Sequence, residues 1–293
     1  KFFKDRGDSW LMPVPLLNVL NGGKHALGSV DLQEFMIMPL GASDFTECLR
    51  WSAEIYQSLK KLLLVKGLAV GVGDEGGFMP KVATNDQMLN LLVEAVNQSG
   101  YKAGEQIGIA LDPAATEIFE SGEYVLKTEN KKLSSPGLIG VYEEWLKSFP
   151  IVSIEDGLAE DDWINWKLMT ERLGGQIQIV GDDLYVTNKK RLEQGIKEKS
   201  SNAILIKLNQ IGTLTETAEV INLARKNDWA AVVSHRSGET EDDFIADLVV
   251  AAGTGQIKTG APCRSERVSK YNRLLKIEKE LGELAMFTNP FRH

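Results

Sequence analysis

Apolar and polar positions along this chain follow two periods that take turns. From residue 100 onward, short β-branched runs recur as IGIALD (107–112), IVSIED (151–156), IQIVGDD (177–183), AILIKL (203–208), AAVVSH (230–235) and GQIKTG (255–260). Runs that are apolar almost throughout suit strands covered on both faces, as in parallel sheets. Between them lie amphipathic stretches with helical spacing and starting signals. Thr213-x-x-Glu216 reads as a capping box ahead of LTETAEVINLARK, Thr187 precedes NKKRLEQG, and Thr240 precedes EDDFIADLVVAAG. Gly174-Gly175 closes a helix running from about Asp161 to Leu173. The first hundred residues are less regular. Asp44-x-x-Glu47 opens a helix over about 44–66, Thr84-x-x-Gln87 opens another over about 85–99, and EFMIMP (34–39) and LAVGVG (68–73) read as strands. No linker rich in Pro, Gly or Ser divides the chain. Repeated strand–helix units without a break point to a (β/α) barrel or a doubly wound sheet.

The strand ends separate those two folds. The six late strands end at Asp112, Glu155, Asp182, Lys207, His235 and Lys258, and from Glu155 onward the intervals are 27, 25, 28 and 23 residues. A barrel delivers the C-terminal ends of successive strands to one rim, whereas a doubly wound sheet scatters them along a line. One or two charges at strand ends would be ordinary solvated loop residues. Six at repeat-like spacing favour convergence, and so a barrel.

Convergence sets the chemistry. Asp112, Glu155 and Asp182 would form a crowded trio, and like charges that close do not all stay ionised without a counter-cation. Hard oxygen ligands without Cys or His partners favour Mg²⁺ over zinc. Lys207, facing them beside a cation in a partly dry pocket, would have its pKa lowered and serve as a general base. Lys258 and Arg236 add positive charge suited to a substrate carrying phosphate and carboxylate. The set suggests metal-assisted proton abstraction next to a carboxylate.

Two loops bring further polar groups. VGDEGGF (72–78) sets Asp74 and Glu75 in a glycine-rich turn, and NGGKHALG (21–28) carries His25 ahead of Gln33 and Glu34. Gly71-x-Gly73-x-x-Gly76 matches a dinucleotide fingerprint, but its two carboxylates would repel a pyrophosphate and Pro80 stands where the helix should begin. Glu75 instead reads as a carboxylic acid able to protonate a leaving hydroxyl, its pKa held up by neighbours such as Glu34. Cys48 and the tryptophans Trp145, Trp163 and Trp166 read as packing residues. His293 is terminal and has no assigned role.

Composition narrows the class further. With 33 Lys+Arg against 41 Asp+Glu the net charge is −8, which argues against a duplex nucleic-acid binder. Two cysteines without a C-x-x-C motif make cytoplasmic residence the simplest expectation. No apolar run approaches the roughly 18 residues of a membrane-spanning helix.

Taken together, NGGKHA, QEFMI, GDEGGF, ALDPAATE, SIEDGL, GDDLYVTN, LIKLNQIGTLTET, SHRSGETED and GQIKTGAPCRSER resemble the enolase family, from end to end and in order. Enolase-superfamily enzymes as a class use a Lys or His base with one or two Mg²⁺ ions. The resemblance implies that residues 1–293 form the family's C-terminal TIM-like (β/α)8 barrel domain, with an upstream α+β lid domain outside this chain. It implies reversible dehydration of 2-phosphoglycerate to phosphoenolpyruvate in glycolysis, a lyase reaction with two Mg²⁺ per site. Lys207 would abstract the alpha proton, and Glu75, supported by Glu34, would protonate the departing hydroxyl. Asp112, Glu155 and Asp182 would hold the metal, and Lys258 would neutralise the intermediate. Gln33, Arg236 and Ser237 would bind substrate, with His235 lining the leaving-group side and His25 arriving on a closing loop. The resemblance also implies a homodimer for the full-length protein and weak or absent activity for an isolated barrel. It leaves open a second role, binding a partner such as plasminogen at the cell surface. Pro113 and Lys24 depart from the family's usual residues at positions outside the catalytic set.

Overall fold

The computed structural model describes residues 9–26 and 28–291, so the charged opening stretch and His293 lie outside the described residues. Eight strands follow one another around a closed barrel in sequence order. They are β1 (Val14–Asn21), β2 (Glu34–Pro39), β3 (Ile107–Asp112), β4 (Ile151–Glu155), β5 (Gln178–Gly181), β6 (Ala203–Ile206), β7 (Ala230–Ser234) and β8 (Gln256–Lys258). Helices pack outside: α1 (Phe45–Val65), α2 (Asn85–Gln98), α3 (Ser135–Ser148), α4 (Trp163–Leu173), α5 (Lys189–Glu198), α6 (Leu214–Lys226), α7 (Phe244–Ala252) and α8 (Ser265–Leu281).

Six of the strands run parallel to β1, but β2 pairs antiparallel with both β1 and β3. That reversal decides where Glu34 goes. The first residue of an antiparallel strand sits beside the last residues of its neighbours, and Glu34 is registered with Asn21 of β1 and Asp112 of β3. A strand start therefore joins a rim made of strand ends.

Alternation along each strand does the rest, because side chains two apart share a face. Val14, Leu16, Met36, Met38, Ala110, Val180, Ala203, Leu205 and Val232 fill the barrel interior as one buried cluster. Two residues further along the same inward face stand Asp112 after Ala110, Asp182 after Val180 and Lys207 after Leu205. Packing of the interior and aim of the rim are thus one constraint, since a single-residue slip would turn both outward.

The outward faces of the strands pack against the helices in a larger core that includes Leu17, Phe35, Ile109, Ile154, Ile204 and Val233. Trp166 is fully buried there and Cys48 lies in the core, as their apolar surroundings in the sequence imply. Helix starts follow local chemistry. Asp44 accepts from the Glu47 amide, Thr84 from that of Gln87 and Thr213 from that of Glu216, as expected. Two starts differ from expectation: Asn188 rather than Thr187 caps α5, and α7 begins at Phe244, four residues after Thr240. The α1 start carries a second, long-range cap. Glu278 of α8 accepts the Phe45 amide at 2.7 Å and the Thr46 amide at 3.0 Å.

Two larger differences lie in the first hundred residues. Val14–Asn21 is a barrel strand that the sequence pattern does not flag, and LAVGVG (68–73) is not a strand. Only an isolated bridge, Val72 with Phe78, forms in that second segment. Eight strands already close the sheet, so residues 68–78 become a loop laid along β1, with the Asn21 amide donating to Phe78 O at 2.8 Å and the Phe78 amide to Val19 O at 2.9 Å. A three-stranded antiparallel sheet (Phe119–Glu120, Glu123–Leu126, Lys131–Leu133) and a parallel ribbon of Trp10–Met12 with Ala285–Phe287 stand outside the barrel. Among the described residues no helix is long and apolar enough to cross a membrane.

Replacing Glu278 by Ala removes both acceptors from the α1 start and is expected to lower unfolding free energy by about 1 kcal/mol. Urea titration of the variant measures this, and an unchanged midpoint would show that water caps α1 equally well.

Candidate active site

The rim encloses a cavity of about 40 Å³ lined by Gln33, Glu34, Glu75, Asp112, Asp182, Lys207, Ser234, His235, Ser237 and Lys258. Residues far apart in sequence meet there, as the strand-end spacing predicts. Lys258, 3% exposed, is the hub. Its Nζ donates to Asp112 Oδ2 and Glu155 Oε1 at 2.8 Å each and lies 3.1 Å from Glu34 Oε2. Burial works against its charge, but Asp112, Glu155, Glu34 and Glu75 outweigh burial and hold its pKa well above the usual lysine range.

The carboxylate trio is divided between two ammonium groups. Asp112 and Glu155 share Lys258, while Asp182 pairs with Lys207 and accepts from Gln210 Nε2 at 3.3 Å. Sequence reasoning places a lowered pKa on Lys207 beside a bound cation; the protein's own groups set the opposite direction. Burial does lower it, but the charges of Asp182 and Glu155 prevail and the ammonium form is stabilised. The expectation assumed a cation beside Lys207, and here that neighbour is an anion.

Asp156 explains how Asp182 is aimed. It is buried at a positive φ of 42°, and its carboxylate accepts the backbone amides of Asp182 and Asp183 at 2.9 Å each. The outward neighbour Asp183 is pushed up to about 6 by burial and by Asp182.

On the opposite side, His25, Glu34 and Glu75 bring one ligand atom each within 4.8 Å of one another. Glu75 is positioned by the tight turn of the 72–78 loop, where Gly76 has φ +85° and a Cβ on Gly77 would lie 2.3 Å from Asn21 Oδ1. Asn18 Nδ2 donates to Glu75 Oε2 at 2.9 Å, and Ser237 Oγ donates to Glu75 Oε1 at 3.2 Å. His235 Nε2 lies 3.4 Å from Glu75 Oε2. Two buried carboxyls this close divide the proton unequally. Burial and then Glu75 raise Glu34 well above the usual carboxylate range. Burial would raise Glu75 too, but His235, Lys258 and His25 overcome it and hold Glu75 well below that range. The directions run against the expectation that neighbours hold the Glu75 pKa up: the charged form is favoured at Glu75, which His235 approaches, and disfavoured at Glu34.

His25 sits in a short 3-10 turn, with Nε2 3.2 Å from Ser237 Oγ and Nδ1 3.8 Å from Glu34 Oε1. Arg236 stands apart from the cavity lining, bonded through Nη1 to Asn209 Oδ1 at 2.8 Å. Asn18, Gln210, Asp156 and Arg267 join the site without being singled out in the sequence. Asn18 alone carried a signal, as a polar residue inside the apolar run VPLLNVLN.

The chain matches the family model described as "Enolase, C-terminal TIM barrel domain" over residues 9–291. It is 55% identical over 285 residues to "Enolase 1" of Methanospirillum hungatei JF-1, an alignment covering 97% of this chain and 67% of that protein. A barrel whose rim carries these side chains in this order, with that identity throughout, belongs to the enolase family as its C-terminal TIM-barrel domain.

Proposed function

We propose that this domain carries the site for Mg²⁺-dependent dehydration of 2-phosphoglycerate to phosphoenolpyruvate, the hydro-lyase step of glycolysis. The observation that carries the reading is one cavity with a lysine, Lys207, and the Glu34–Glu75 pair among its walls. Elimination of water next to a carboxylate needs both functions at once, a base for the alpha proton and an acid for the hydroxyl.

The donor set fits a hard divalent cation. Asp112, Glu155 and Asp182 offer oxygen ligands only, and Glu155 Oε2 is buried with no hydrogen-bond partner. Bound by these three, the cation would supply the fixed positive charge that stabilises an ene-diolate-like carboxylate and would take Asp182 over from Lys207. Lys207 Nζ then serves as the base that removes the alpha proton. Burial favours the protonated form at Glu34, in the same pocket as Glu75, and Glu75 delivers the proton to the leaving hydroxyl. Ser237 and His235 flank Glu75 and orient it. Lys258 opposes negative charge growing on the substrate carboxylate, and Gln33, Arg236 and Ser237 contact the rest of the substrate. His25 covers the Glu34 side.

With the full-length protein, Mg²⁺ and 2-phosphoglycerate, phosphoenolpyruvate is expected to appear in a spectrophotometric assay and to stop on chelation of the metal. Lys207→Ala should reduce kcat by at least about 10³-fold; a variant as fast as wild type would assign the base elsewhere. Lys258→Met leaves Asp112, Glu155 and Glu34 without their shared cation. It should lower the stability of the metal-free protein by about 3 kcal/mol at pH 8. The sign with pH follows from the raised pKa values of Glu34 and Glu155, both caused first by burial and then by neighbouring carboxylates. As pH falls through those raised values the carboxylates take up protons, so Lys258 has less to neutralise and the loss shrinks. Equal losses at pH 8 and pH 6 in thermal or urea melts would count against this charge balance.

A further inference from the structure

Helix α8 sends Arg267 into the loops behind the site. It is 1% exposed, yet among the described residues it forms no ion pair with a carboxylate. Its Nη1 bonds His235 Nδ1 at 2.5 Å and Arg236 O at 2.7 Å; its Nη2 donates to Asp74 O at 3.0 Å and Ser237 O at 2.7 Å. The guanidinium thus spans two loops, the one carrying Glu75 and the one carrying His235 and Ser237. Room is made for it by Gly260, where a Cβ would lie 2.8 Å from Arg267 Cδ and 2.7 Å from Glu75 O. A buried, unpaired cation costs several kcal/mol relative to an apolar side chain. Three of its bonds satisfy backbone carbonyls and offset part of that cost; the fourth goes to a side chain, His235.

What the charge supplies is a choice of tautomer. Guanidinium has five donors and no acceptor, and it stays charged. His235 Nδ1 must therefore accept, which excludes both a proton on Nδ1 and the imidazolium. The single ring proton sits on Nε2, the nitrogen that faces Glu75 Oε2 at 3.4 Å.

We propose that Arg267 is a positioning residue for the dehydration: it fixes His235 as the neutral Nε2–H tautomer and ties the Glu75 loop to the His235–Ser237 loop. This rests on the dehydration reading, in which Glu75 is the group that His235 orients. Glu75 itself accepts from Ser237 at Oε1 and from Asn18 at Oε2, and His235 Nε2 lies 3.4 Å from Oε2. The loop that holds the acid and the loop that would meet the substrate then move as one body.

The test uses the full-length protein with ¹⁵N-labelled histidine, with the His235 signals assigned by loss in His235→Gln. Long-range ¹H–¹⁵N spectra at neutral pH, recorded without substrate, are expected to show an unprotonated Nδ1 and a protonated Nε2. A protonated Nδ1 in the wild type overturns the proposal and needs no variant. In Arg267→Met and Arg267→Ala the ring is expected to populate the other tautomer or the imidazolium. With this change kcat should fall at least about tenfold while KM moves less than about threefold. Added ethylguanidinium should restore part of the activity of Arg267→Ala; Arg267→Lys, which cannot bridge both loops, should stay impaired. Lost turnover with an unchanged His235 spectrum, or wild-type kcat in Arg267→Met, overturns the proposal. Wild-type protein that fails to turn over 2-phosphoglycerate defeats the dehydration reading instead, while the tautomer is still read directly from the spectra.

Discussion

Asp112, Glu155 and Glu34 are buried together at one end of the barrel, and a single ammonium group, Lys258 Nζ, lies within 3.1 Å of all three. Coulomb repulsion among carboxylates in a poorly solvated site would otherwise push them apart or protonate them. Everything else about the rim is arranged around that neutrality. Lys207 balances Asp182, Asn18 and Ser237 donate to Glu75, and burial favours the protonated form at Glu34. Strands β1 to β8 serve as rigid arms that hold these charges at fixed separations.

Charge balance also sets how the rim is packed. The cavity of about 40 Å³ is lined by groups that are already paired, Lys207 with Asp182 and Lys258 with Asp112. Backbone bonds fix two of its walls, Asp182 through Asp156 and Ser237 through Arg267.

Most of the rim was legible in the sequence because barrel geometry turns a repeat length into a position. Asp112, Glu155, Asp182, Lys207, His235 and Lys258 each fall within one residue of a strand end. The strand β1 was not legible, since Pro13 and Pro15 weaken the appearance of a strand. Pro15 is tolerated because pairing with β2 begins only at Leu17. The pKa directions at Lys207 and Glu75 were missed for a different reason: they depend on which charge is the nearest neighbour, and spacing does not encode that. Arg267 was hidden by its setting, an arginine in the first turn of a charged helix that reads as solvated.

The antiparallel β2 has a kinetic consequence. It turns β1 and β2 into a local antiparallel pair that can form soon after both segments are free, whereas closing the barrel must join β8 to β1 through Lys258 and Leu16, partners from opposite ends of the chain. Loop-closure entropy makes that pairing the slow one. Lys258 reaches the rim only through that closure, so neutralising Glu34, Asp112 and Glu155 depends on a pairing between opposite ends of the chain.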